Sequence, residues 1–235
     1  MNQSVEKNGR TGNRAAQIRK MTALAVFCAL AYISVFVFRL HVSFLTFDIK
    51  DAIITIAAMF YGPVSALLLS ALVAVLEFLS VSDTGVYGLI MNFVSSASFS
   101  FVAAGIYKYR RTMSGAFLSL TCAVFSMTGV MLVANLLITP HFMGASVSQV
   151  RSMIPTLLLP FNLTKALLNA GIVLLLYKRL SEVLRRLGGK AVSAVKPSRP
   201  YLVPVIALAV IAISVCVFCL VLGGSAEIPF LSFFK

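Results

Sequence analysis

Charge is scarce in this chain: only 11% of its 235 residues are Asp, Glu, Lys or Arg, and just seven of those are acidic. With 60% hydrophobic residues and a mean hydropathy of +0.97, a soluble domain of this length could not hide its apolar surface from water. The solvent for most of the chain must be lipid. Histidine is limited to His41 and His141, so the four cysteines (Cys28, Cys122, Cys216, Cys219) have no co-ligands at metal-site spacing. All four sit in apolar stretches and read as small buried apolar residues, supporting neither a metal site nor a disulfide framework. Catalytic signatures are missing as well. No G-x-x-x-x-G-K-[ST] phosphate loop occurs, and there is no H-E-x-x-H, no G-x-S-x-G and no paired catalytic Asp. The chain is expected not to be an enzyme and to carry no cofactor.

What is present is a series of apolar runs. Residues 21–38, 84–107, 112–150 and 200–226 carry no charge. At about 1.5 Å rise per residue, runs of this length let a helix cross roughly 30 Å of hydrocarbon. The Gly, Pro, Ser and Asn within them are tolerated where neighbouring helices supply partners. The fold class is all-α, a polytopic transmembrane helical bundle. The net charge of +13 suggests nucleic acid until its distribution is seen: fifteen of the 20 basic residues fall within 7–20, 108–111 and 178–199. These clusters flank apolar segments, where Lys and Arg mark the cytoplasmic side and meet anionic lipid heads, so no nucleic-acid partner is expected. The basic N-terminal tail precedes an apolar run with no small-residue cleavage site, so the first helix reads as retained.

Residues 52–76 are uncharged but carry Gly62-Pro63 in the middle. Taken as one span, they would place the 108–111 cluster outside. Split at Gly62-Pro63, they bring all three basic clusters to the cytoplasmic side, with Pro63 well suited to a helix start. The predicted spans are 21–38, 50–61, 62–80, 86–107, 113–138, 156–177 and 201–222, with the N-terminus cytoplasmic. The second is too short to cross unaided. The resulting division is a basic tail at 1–20, a six-helix domain at 21–180, a basic linker at 181–200 and an added C-terminal transmembrane segment at 201–235. Residues 39–49, 81–85 and 139–155 are the outward loops.

Ionisable residues within spans cost roughly 2.5–3.5 kcal/mol on insertion scales and normally face a cavity or a partner. Lys165 is the clearest case, with Asn162 and Asn169 on the same helix face and Asn135 in the outer half of the fifth span. Asn135, Asn162 and Lys165 together offer amide donors and acceptors and one ammonium, which suits a flat heterocycle bearing carbonyls and an N–H. The alternative is helix–helix hydrogen bonding, which is the preferred reading for Asn169 and Asn92. Asp48 or Asp51 is expected to cap the short second helix, and Glu77 to snorkel to the interface. Ala25 and Ala29, with Ala31 nearby, give the first helix a smooth face for close packing.

Four stretches resemble the S components of energy-coupling factor (ECF) transporters, specifically the riboflavin-binding ones. Residues 44–51, Phe-Leu-Thr-Phe-Asp-Ile-Lys-Asp, running on to Phe60-Tyr61-Gly62-Pro63, resemble that family's first outer loop, short second helix and Gly-Pro break. Ala25-x-x-x-Ala29 resembles its first-helix alanine motif. Asn135 followed by Ile138-Thr139-Pro140 resembles the end of the fifth helix, and Pro160-Phe161-Asn162-Leu163-Thr164-Lys165 the opening of the sixth. The resemblance covers about residues 20–180. It implies six helices, flavin contacts from Thr46, Asn135, Asn162 and Lys165, with Phe44 and Asp48 of the first loop in the binding set, and a coupling surface at Ala25 and Ala29. It further implies riboflavin import across a bacterial cell membrane, driven by a transmembrane coupling subunit and two ATPase subunits. The seventh apolar segment departs from the family pattern. Other readings are an S component for another vitamin or nucleobase-like precursor, or a membrane structural or assembly protein with no transported substrate.

Overall fold

The computed structural model describes the backbone of residues 2–38, 40–42, 45–186 and 202–223, and the side chains of residues 14–38, 45–177 and 204–216. Helices dominate, since in lipid a backbone must satisfy its N–H and C=O groups internally. In order they are α1 (Asn2–Val37), the strands β1 (Leu40–Val42) and β2 (Leu45–Phe47), then α2 (Lys50–Tyr61), α3 (Pro63–Ser80), α4 (Gly85–Tyr109), α5 (Met113–Met143), α6 (Val147–Met153), α7 (Leu159–Arg186) and α8 (Leu202–Gly223). Five stretches among the described residues are long and apolar enough to cross a membrane: Arg14–Val37, α3, α4, α5 and Val147–Tyr177.

The break at Gly62 falls where the sequence puts it. Gly62 has φ 100 and ψ 166, a conformation open mainly to glycine, and Pro63 opens α3 without needing an N–H. The twelve residues of α2 are buried nearly all round, among α1, α3, α4 and α7. Its short length is thus accommodated by burial in the bundle core.

Two of the segments expected as outward loops have regular structure. The first carries a hairpin, with Leu40 opposite Phe47, His41 opposite Thr46 and Val42 opposite Leu45. The third is mostly helical. α5 runs on through Pro140 to Met143, and Gly144 in the left-handed region ends it. Ser146 and Gln149 then form a capping box that starts α6, and a π-helical turn, Ile154–Leu158, carries the chain into α7. The sixth span therefore begins earlier than predicted.

Polarity is inverted relative to a soluble protein. Leu68, Leu72, Phe125, Val133 and Leu137 face outward, while Asp48, Lys50, Asp51, Glu77 and Lys165 are all buried. Charges placed inside and leucines outside are the arrangement a lipid solvent favours. At the end of the bundle away from the hairpin, the Tyr107 and Tyr177 hydroxyls are hydrogen-bonded and Phe60 stacks on Tyr177 at 6.1 Å between centroids. The seventh segment forms α8, which packs along α7. Their approach is close enough that a Cβ on Gly171 would stand 2.7 Å from Ile211 Cγ1. On α1, Ala25 and Ala29 are exposed, whereas Ala31 is fully buried in the core.

Candidate functional site

A cavity of about 350 Å³ opens at the hairpin end of the bundle, bounded by β2, the end of α3, the start of α4, α5 and α7. Pockets that hold small organic ligands begin at roughly 300 Å³. One wall comes from β2, α5 and α7 and carries Thr46, Asn135, Asn162 and Lys165. Helical geometry brings the last two together: three residues apart on α7, they present to the same side.

The Asn135, Asn162 and Lys165 side chains are each fixed by hydrogen bonds within the protein. Asn162 Nδ2 donates to Leu158 O at 2.7 Å. Asn135 Nδ2 donates to Met131 O at 2.7 Å, and its Oδ1 accepts from Thr139 Oγ1 at 3.0 Å. Lys165 Nζ donates to Asp48 Oδ2 at 2.9 Å and to Thr46 O at 3.2 Å. An ammonium has three N–H groups, so a further donor remains for the cavity beside it. Lys165 is thus neither snorkelled to water nor sealed away: it is paired with a carboxylate and still borders the void. Apolar surface from Leu45, Met131, Ile138 and Phe161 completes this side, and Phe161 is held edge-on by Phe47 at 5.8 Å.

Asp48 is not among the residues lining the cavity; it stands behind Lys165, 1% exposed. Burial acts to raise its carboxyl, but the charges of Lys165 and then Lys50 outweigh that effect and hold it below the ordinary carboxylate range. The capping role expected of Asp48 or Asp51 is corrected: α2 has Ile49 at its N-cap with no side-chain cap bond. Asp51 instead accepts from Ser96 Oγ at 2.5 Å. A residue of another helix serves the α2 terminus, since Asn169 Oδ1 accepts from the Ala52 N–H at 2.8 Å while its amide donates to Asp48 O at 3.2 Å. Asn169 is therefore a helix–helix connector, as expected. Phe44 lies outside the described residues.

The opposite wall was not assigned to the site from the sequence. It carries Glu77 of α3 with Asn92 and Ser95 of α4. Glu77 does not snorkel: it is 4% exposed, lies 2.7 Å from Lys50 Nζ, and accepts from Asn92 Nδ2 at 2.8 Å. A buried ammonium within reach removes the need to seek water. Asn92 thus makes the helix–helix bond predicted for it while also facing the cavity. The Ser95 hydroxyl is buried without a hydrogen-bond partner among the described residues. Glu77 and Lys50 are 27 residues apart and on different helices, so no local pattern reveals their pairing.

A multi-pass helical bundle enclosing a largely apolar slot, edged by amides and one ammonium, defines a membrane-embedded ligand-binding protein. The chain belongs to the family of substrate-specific components of ECF transporters, whose family model matches residues 19–180. It is accordingly a transporter component and not an enzyme. It is similar to the riboflavin transporter RibU of Staphylococcus aureus (strain TCH60), with 26% identity over 191 residues, 77% of this chain and 100% of that one. It is also similar to the riboflavin transporter FmnP of Bacillus subtilis (strain 168), with 25% identity over 176 residues, 70% of this chain and 93% of that one. Among solved structures, the S component of a bacterial ECF transporter superposes with a TM-score of 0.62 and 27% identity, covering 72% of this chain and 99% of its own.

Proposed function

We propose that this chain captures riboflavin from outside a bacterial cell and, with an energising module, delivers it across the membrane. The observation that carries the reading is the Lys165 ammonium, buried in the membrane domain yet bordering a cavity together with Asn135 and Asn162. An isoalloxazine ring is flat and apolar over its faces and presents carbonyls and an N–H at one edge. Amides that donate and accept, beside an ammonium that donates, complement that edge. Thr46, Asn135, Asn162 and Lys165 are assigned as its contacts, and Phe44, outside the described residues, is assigned to the same binding set. Asp48 is assigned the role of holding Lys165.

The 21–180 unit is assigned to binding and residues 201–235 to an appendage outside it. With the N-terminus cytoplasmic, the hairpin and the cavity mouth lie at the outer face. A transmembrane coupling subunit and two ATPase subunits are the expected partners, with Ala25 and Ala29 at the contact. The full chain, purified in detergent, is expected to quench riboflavin fluorescence at micromolar concentration and to co-purify yellow. Fluorescence left unchanged by the protein would overturn the assignment.

A further inference from the structure

Behind the cavity, four buried charges stand in alternating sign. Lys165 Nζ lies 2.9 Å from Asp48 Oδ2, the same oxygen lies 3.6 Å from Lys50 Nζ, and Lys50 Nζ lies 2.7 Å from the Glu77 carboxylate. The chain of charges begins and ends on the cavity. Lys165 borders it on one wall, and Glu77, holding Asn92 at 2.8 Å, borders it on the other. The two inner members, Asp48 and Lys50, are not among the lining residues. Asp51, next to Lys50, is a fifth buried ionisable residue beside this chain and accepts from Ser96 Oγ at 2.5 Å.

Lys50 stands in a poor place for a lysine that serves packing alone. It is the first residue of α2, where the helix dipole disfavours a cation, and its whole side chain is buried at 1% exposure. Its two carboxylate neighbours offset both penalties, and they tie it to groups that face the void. Without the Lys50 ammonium, Asp48 would be left to Lys165 alone and Glu77 would be a buried carboxylate with only amide support. Both Lys165 and Asn92 would then settle in new positions.

We propose that Lys50 is a positioning residue for the ligand: without touching it, Lys50 places Lys165 through Asp48 on one wall and Asn92 through Glu77 on the other. This rests on the riboflavin reading of the cavity. The consequence is thermodynamic coupling between two lysines on different helices. The effect of altering Lys50 should depend on whether Lys165 is present.

The test is a double-mutant cycle on the full-length protein, reading the riboflavin Kd by fluorescence quenching. Lys50→Met is expected to weaken riboflavin at least tenfold in the native background and less than threefold in a Lys165→Met background. Lys50→Arg, which keeps the charge and guards against a variant that fails to fold, is expected to weaken riboflavin by about threefold natively and by less than that in the Lys165→Met background, where only the arm through Glu77 and Asn92 remains. Equal losses in both backgrounds, or native affinity in Lys50→Met, would overturn the proposal while leaving the substrate reading intact. A native protein that binds no riboflavin would instead remove the substrate reading itself, and this inference with it.

Discussion

At the scale of single residues, one ammonium group decides most of the functional reading. Lys165 is legible in the sequence because a lysine between two uncharged stretches needs a reason to be there. Its partner was not legible as such: Asp48 lies 117 residues away on a loop, and the sequence suggested helix capping for it. Glu77 was hidden by the same kind of distance from Lys50. Local spacing reports which residues share a helix face, whereas the pairing of buried charges is decided by how helices from distant parts of the chain are brought together. Lys165→Ala removes a donor from the cavity and leaves Asp48 with Lys50 as its remaining cation. It is expected to weaken riboflavin by more than tenfold, about 1.4 kcal/mol. Titration of riboflavin fluorescence checks this, and unchanged affinity would show the lysine to be structural.

At the scale of elements, the punctuation of the chain was read more securely than its continuations. The Gly62-Pro63 break was visible because two residue types with opposite backbone constraints stand together, and α2 and α3 meet there as predicted. Beyond residue 138 the predicted boundaries fell short. Residues 139–155 were expected as a loop, yet Pro140 sits within α5, and Ser146 with Gln149 restarts a helix two residues after Gly144. That capping box is a sequence signal in its own right. The β1–β2 hairpin has strands of three residues, too short for an alternating pattern to stand out. Gly62 also supplies a direct test of backbone strain. Gly62→Ala meets no neighbour within 4 Å but must hold φ near 100, so a loss of order 1–3 kcal/mol is expected. Gly105→Ala, equally free of neighbours but inside α4, is expected to be neutral or mildly stabilising. Thermal unfolding of the two purified variants separates backbone conformation from packing, since space is equal at both positions.

At the scale of the whole molecule, the cavity and the coupling face proposed at Ala25 and Ala29 occupy different surfaces. The cavity lies at the hairpin end between β2, α3, α4, α5 and α7, and no described residue of α1 is in its lining. Ala25 and Ala29 face outward from α1, one helical turn apart, while Phe27 between them is buried in the core. Small side chains at that spacing let a second helix approach closely, and bulk there blocks the approach without touching the bundle interior. α8 packs on α7, and Ala25 and Ala29 stay exposed among the described residues, so the proposed coupling face is left open. Replacing both alanines with tryptophan is therefore expected to leave the riboflavin Kd of the isolated protein within about twofold of the native value, well under 1 kcal/mol. The same variant is expected to lose co-purification with the coupling subunit and ATPases and to abolish riboflavin uptake by cells that depend on this chain. Retained uptake would place the coupling contact on another face, while a matching loss of riboflavin binding would mean that α1 supports the cavity after all.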